Sequence, residues 1–126
     1  MEPTEHYFEM HGKKYYYWLM GNPQKPALVL LHGFLGNHKG LVWLADLLKN
    51  DYSIIMPDFP GCGKSDVLPS VTYGIKAYAD WLNSFLEIIS IHKAIIIGHS
   101  FGSRVAAFFA ATYPQKVSAM ILITPV

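Results

Sequence analysis

The sequence predicts an α/β fold, a mostly parallel sheet with helices on both faces, and three observations carry that reading. Short all-apolar runs such as Ala27–Leu31 (ALVLL) have the composition of strands buried on both faces, as in a parallel sheet. Segments with helical spacing of apolar residues alternate with those runs, and this alternation argues for strand–helix–strand crossovers. In the stretch Ile95–Arg104 (IIIGHSFGSR), a buried strand climbs into a tight Gly-His-Ser-Phe-Gly turn and a helix begins after it.

The elements follow in order. His6–Met10 and Lys14–Met20, separated by His11-Gly12-Lys13, read as a β-hairpin. Pro23 and Pro26 make Gly21–Pro26 a turn. After the strand Ala27–Leu31, the segment Lys39–Lys49 places Leu41, Leu44, Ala45, Leu47 and Leu48 on one helical face. Tyr52–Met56 reads as a strand stopped by Pro57 and followed by the loop DFPGCGKSD. Val71–Ser90 reads as a long amphipathic helix with Ile75, Tyr78, Ala79, Leu82, Phe85, Leu86 and Ile89 inward. Lys93–Ile97 is a strand, Phe101–Tyr113 a helix closed by Pro114, and Val117–Ile123 the last strand.

The 126 residues make at most one domain, long enough to bury a core. Charged residues are only 15% of the chain against 52% hydrophobic. Even so, the longest apolar run, Val105–Ala111, is far short of the ~18 residues a transmembrane helix needs, so no membrane partner is expected. A net charge of +1 without a basic cluster speaks against nucleic acid. The first residues, MEPTEHYFEM, lack the pattern of a signal peptide, and a single cysteine, Cys62, suits a reducing compartment; the expected location is cytoplasmic. No pair of side chains has metal-ligand spacing, and neither a metal nor a cofactor is expected.

Gly61-Cys62-Gly63-Lys64-Ser65 imitates the end of a Walker A motif. That motif needs a glycine where this chain has Asp58, and Pro60 removes one of the amides that would cradle phosphate. A glycine-rich turn leaving a strand is the better reading. Gly98-x-Ser100-x-Gly102 is the stronger signal, because a nucleophile elbow requires a strand before it and a helix after it, and both are in place. An oxyanion needs two fixed N–H donors. His32-Gly33-Phe34-Leu35-Gly36 ends the strand Ala27–Leu31, expected beside the strand bearing Ser100, so the amides of Phe34 and Phe101 are the candidate donors. The positive end of the helix from Phe101 adds to them.

With LHGFLG (Leu31–Gly36), PDFPGCGKSD (Pro57–Asp66) and GHSFGS (Gly98–Ser103) in this order, the chain resembles the α/β-hydrolase superfamily from about Tyr7 onward. The resemblance implies a sheet that begins with an antiparallel strand pair and continues in parallel. It implies a serine hydrolase that cleaves an ester, thioester, amide or activated C–C bond through an acyl-enzyme on Ser100. A serine at this position differs from the aspartate of the haloalkane dehalogenase and epoxide hydrolase branches. HGFLGN, the DFPGCGKS turn and Arg104 are also similar to the menaquinone-pathway synthase branch (2-succinyl-6-hydroxy-2,4-cyclohexadiene-1-carboxylate synthase), where the arginine helps bind an acidic substrate. Ser103 stands where glycine is usual. A lyase of that type and a non-catalytic binding module remain alternatives.

Other residues have blander readings. His99 packs behind the elbow, His32 braces the oxyanion loop, and His6, His11, His38 and His92 sit in surface segments. Asp58 and Asp66 are placed to bind backbone amides of their turn. Phe34 and Leu35 are candidates to line an acyl pocket, and Arg104 to bind substrate; the expected ligand is a small acyl compound.

A triad in this fold runs Ser, Asp/Glu, His along the chain. The 26 residues after Ser100 contain no histidine, aspartate or glutamate. The expectation is therefore an N-terminal portion (1–126) of a single α/β-hydrolase domain, a fragment whose sheet stops after the strand that follows the nucleophile helix, with acid and base outside it and little activity alone. Val117–Ile123 would then be an open apolar edge that favours self-association.

Overall fold

The computed structural model describes residues 2–34, 36–69 and 74–124. Its strands are β1 (Thr4–Met10), β2 (Lys13–Gly21), β3 (Ala27–Leu31), β4 (Ser53–Pro57), β5 (Ala94–His99) and β6 (Val117–Ile123), and its helices α1 (Val42–Leu48), α2 (Ile75–Ile88) and α3 (Phe101–Thr112). The strands form one sheet in the order β1-β2-β4-β3-β5-β6. β1 and β2 are antiparallel, joined by a tight turn in which His11 and Gly12 both have positive φ (53° and 75°), as a type I′ hairpin turn requires. The β2–β4 junction is antiparallel as well, one junction beyond the expected pair, and the parallel run comprises β4, β3, β5 and β6.

Alternation along the central strands divides the core in two. Val29, Leu31, Ile55 and Ile96 face a cluster with Phe85 and Leu86 of α2 and Val105 and Phe109 of α3. Leu28, Leu30, Ile54, Met56 and Ile97 face the other side beside Trp18 and Met20 of β2, where Leu41 and Ala45 cover them. Helices thus lie on both faces, as the strand–helix alternation predicts.

Four expectations need correction. Lys39–Lys49 is not one helix: a 3-10 turn over His38–Leu41 precedes α1. Its three residues per turn break the helical phase, so Leu47, assigned inward, is 71% exposed while Leu41 and Ala45 are buried. β4 runs through Pro57; its β3 ladder has already ended at Val29↔Ile55, so the proline removes no hydrogen bond there. The inner face of α2 includes Trp81, which packs on Phe8, Tyr15, Phe59 and Phe85. The expected helix start at Val71 lies outside the described residues. His38 is buried, as described below.

Candidate active site

The chain leaves β3 toward α1 on one face and leaves β5 toward α3 on the other. β3 and β5 are neighbours, so their C-terminal ends flank a topological switch point, the crevice where open α/β sheets bind ligands. His32–Phe34 and His99–Phe101 sit at this crevice.

Ser100 has φ 55° and ψ −117°, a conformation that non-glycine residues rarely adopt. Neighbouring strands and helix hold it there. Its N–H donates to the Ile123 carbonyl of β6 at 3.0 Å, and its carbonyl accepts from Ser103 N (2.9 Å) and Ser103 Oγ (2.5 Å). The fully buried Ser103, odd by family pattern, thus ties down the first turn of α3. The flanking glycines are required by space. A Cβ at Gly102 would lie 2.2 Å from Leu31 O and 2.6 Å from His32 O, and one at Gly98 would lie 2.4 Å from Gly102 O. α3 therefore starts in direct backbone contact with the end of β3, a packing that any side chain would break.

The loop after β3 closes on the serine. A Cβ at Gly33 would stand 3.4 Å from Ser100 Cβ, and the Gly36 N–H donates to Gly33 O at 3.1 Å, folding a turn around Phe34. The rings of Phe34 and Phe101 are 5.7 Å apart, and Phe34 is 67% exposed. The amide of Phe101 belongs to the first turn of α3, whose donors have no intrahelical partner, and the helix adds its positive end. Leu35 lies outside the described residues. Arg104 is exposed on the first turn of α3.

Behind the loop stands a buried polar frame. His32 Nε2 accepts from Phe59 N (3.0 Å), so the proton sits on Nδ1, which donates to Gly33 O (2.7 Å). Burial pushes the His32 pKa below the usual imidazole range, which favours this neutral form. Asp58 is 1% exposed; its Oδ1 accepts from His38 N (2.8 Å) and lies 3.0 Å from His38 Nδ1, while Oδ2 accepts from Lys64 N (3.2 Å). The His38 ring stacks on Trp18 with centroids 3.5 Å apart. Ser65 Oγ donates to Asp58 O and accepts from Tyr16 N, both at 2.8 Å, and Asp66 Oδ2 accepts from Lys14 N at 2.8 Å. The false Walker loop is thus a knot of hydrogen bonds joining β2, β4 and the loop after β3. Sequence reasoning missed the part of His38 in it; an aspartate three residues before a Gly-x-Gly turn gives no hint of a partner 20 residues upstream.

His99 is half-buried and lies on the Gly33 side of the elbow, its Nδ1 3.5 Å from a Cβ built on Gly33. His6 stacks on Tyr17, and His11 and His92 are exposed. Among the described residues no group of three or more histidine, cysteine or acidic side chains could hold a metal ion. No described helix is long and apolar enough to cross a membrane.

With this strained serine turn between a strand and a helix at the switch point of the sheet, the chain belongs to the α/β-hydrolase family: the alpha/beta hydrolase fold profile matches residues 26–126. An uncharacterized protein of Mycobacterium tuberculosis is 33% identical over 97% of this chain and 35% of its own length. The human serine hydrolase-like protein is 32% identical over 82% of this chain and 51% of its own. A Bacillus subtilis protein provisionally named 2-succinyl-6-hydroxy-2,4-cyclohexadiene-1-carboxylate synthase is 36% identical over 76% of this chain and 35% of its own. Among solved structures, a bacterial membrane phospholipase A superposes with a TM-score of 0.93 at 27% identity, covering 98% of this chain and 40% of that one. The chain thus spans between about a third and a half of the length of these relatives.

Proposed function

We propose that Ser100 is the nucleophile of a serine hydrolase acting on a small acyl substrate, an ester, thioester or amide. The observation that carries this reading is the strained Ser100 backbone, held by Ile123 and Ser103 beside the oxyanion loop. Strain of this kind costs about 1–3 kcal/mol and persists only where the surroundings impose it. In the reaction Oγ attacks the acyl carbonyl while a general base takes its proton. The oxyanion that forms is met by the N–H groups of Phe34 and Phe101 and by the positive end of α3. Collapse expels the alcohol, thiol or amine, reprotonated by the same acid–base group, and leaves an acyl-enzyme that water hydrolyses. The residues from Phe101 to Val126 include no histidine, aspartate or glutamate to serve as base or orienting acid. A reducing, cytoplasmic setting suits the single Cys62.

A second reading, a lyase acting on an acidic substrate, is favoured by the Bacillus subtilis synthase-type relative together with Arg104 on the first turn of α3. It predicts that Arg104→Ala abolishes turnover, whereas the hydrolase reading predicts a modest change.

The test is covalent labelling of the protein from its native source by a fluorophosphonate, with the modified peptide identified by mass spectrometry. Label on Ser100, lost in Ser100→Ala, is expected. An unlabelled Ser100 in folded protein would overturn the reading in favour of a non-catalytic binding module.

A further inference from the structure

Ser65, the last residue of the false Walker motif, is 8% exposed and has both sides of its hydroxyl engaged. Its Oγ accepts from Tyr16 N and donates to Asp58 O, both at 2.8 Å. The backbone N–H can only donate and the carbonyl can only accept, so the direction of the hydroxyl hydrogen is fixed. The Asp58 carbonyl and the Phe59 N–H are the two ends of one planar peptide unit. That N–H donates to His32 Nε2 at 3.0 Å, and His32 Nδ1–H donates to Gly33 O at 2.7 Å. The Gly33 carbonyl in turn shares a peptide plane with the Phe34 N–H, which has no hydrogen-bond partner among the described residues. Because the plane is rigid, holding its oxygen sets the direction of its hydrogen. The donors Tyr16 N–H, Ser65 O–H, Phe59 N–H, His32 N–H and Phe34 N–H therefore follow one another head to tail. Hydrogen bonds that run one way in this manner polarise each other, by about 10–30% per bond. Gly36 N–H also holds Gly33 O, but from within the same loop; the series through Ser65 is what ties that oxygen to β2 and β4.

We propose that Ser65 is a positioning residue for the reaction at Ser100, acting through the Asp58–Phe59 peptide and the His32 ring to orient and polarise the Phe34 N–H. The proposal rests on the reading of Ser100 as nucleophile and Phe34 as oxyanion donor, and adds to it the part that sets that donor. Ser65 touches no substrate in this role. Its neighbour Asp66 bonds to Lys14 N and stands outside the series, so the two residues separate an effect on the donor from an effect on the loop.

The test takes two readings on the whole protein: the rate at which a fluorophosphonate modifies Ser100, and the NMR resonance of the Phe34 amide. Removing an oxyanion donor outright costs about 10²–10³ in rate, so a donor left in place but misdirected should cost about tenfold. Ser65→Ala should slow labelling by that factor and move the Phe34 amide proton upfield, and Ser65→Thr, which keeps the hydroxyl, should restore both. Asp66→Ala should change neither. His32→Asn keeps an N–H donor toward Gly33 O but offers Phe59 no acceptor, which cuts the series between Ser65 and the donor. In that background Ser65→Ala should slow labelling no further. If Ser65→Ala does not fold, Ser65→Cys, with its weaker S–H donor, is read in the same way. A folded Ser65 variant with wild-type labelling and an unmoved Phe34 amide would overturn the proposal, as would effects of Ser65→Ala and His32→Asn that multiply. Wild-type protein that is folded but unlabelled counts against the nucleophile, whereas the Phe34 resonance decides for or against the series whichever way labelling falls.

Discussion

Gly102→Ala should be among the most damaging single-methyl changes in this chain. The added Cβ would lie 2.2 Å from the Leu31 carbonyl oxygen, 0.8 Å inside the 3.0 Å below which real Cβ contacts essentially do not occur, and 2.6 Å from His32 O. Neither obstacle is a side chain that can rotate away. Both are backbone at the end of β3, which is hydrogen-bonded to β5 on one side and β4 on the other. Relief therefore requires α3 to lift from the sheet by most of an ångström. Overpacking typically costs about 1–3 kcal/mol, and rigid backbone on both sides puts this case at about 3 kcal/mol or more. Gly40→Ala is the control, since its methyl meets open space and should change stability by no more than about 1 kcal/mol. Urea denaturation reads both. With a slope of about 1–3 kcal/mol/M, the Gly102→Ala midpoint should fall by roughly 1–3 M. Labelling of Ser100 should fall further than stability explains, because the lifted helix carries the Phe101 amide with it. Midpoints for the two variants within the equivalent of about 1 kcal/mol would refute the account of how β3 and α3 meet.

Four more outcomes follow from the same geometry. Ser100→Gly should be more stable than Ser100→Ala by about 1 kcal/mol, because glycine accepts φ 55° without the strain alanine keeps; equal melting temperatures would contradict the strain. Asp58→Ala strands the buried donors of His38 and the part-buried Lys64 N–H and should lower stability by about 3 kcal/mol by chemical denaturation, whereas Asp58→Asn, which keeps an acceptor, should lose less. The folded-state pKa of His32 is depressed, so the unfolded chain binds its proton more readily; stability should be full above the ordinary imidazole pKa of about 6.5, fall as the pH drops below it, and fall less in His32→Gln, as read by melting across pH. Among the described strands β6 pairs with β5 alone and exposes Met120, Ile121 and Leu122, so the described chain should self-associate with rising concentration, and Ile121→Lys should return it to monomer in sedimentation velocity.

The fold was legible where apolar runs are short and bounded. β3 and β6 match the runs ALVLL and VSAMILI residue for residue; β3 is buried between layers and needs no alternation to be seen, while β6 keeps the same apolar composition on an open edge. The elbow was legible because its two glycines answer to backbone contacts that only they allow. What the pattern concealed is nonlocal. Leu47 and His38 were misplaced because periodicity cannot register a 3-10 turn that resets the helical phase before α1. Trp81, three residues after Tyr78 and four before Phe85, lies at the flank of the α2 stripe, and the N-terminal hairpin widens the buried face by packing Phe8 and Tyr15 on it. The bonds from His38 to Asp58 and from Lys14 to Asp66 bridge segments far apart in sequence, and nothing in either segment announces the other.

The placement of β3 between β4 and β5 also bears on the order in which the molecule assembles. β4 follows β3 after a short helical connection, but β5 arrives only after the whole of α2 has been made, and it must dock on the opposite flank of β3. Closing that larger loop is entropically slower, as contacts between distant segments generally are. The loop after β3 lies on one side of this long connection and the elbow on the other. Ser100 keeps its strained backbone only where β5 lies beside β3 and β6 reaches it with Ile123, so its geometry depends on contacts that three strands must hold at once.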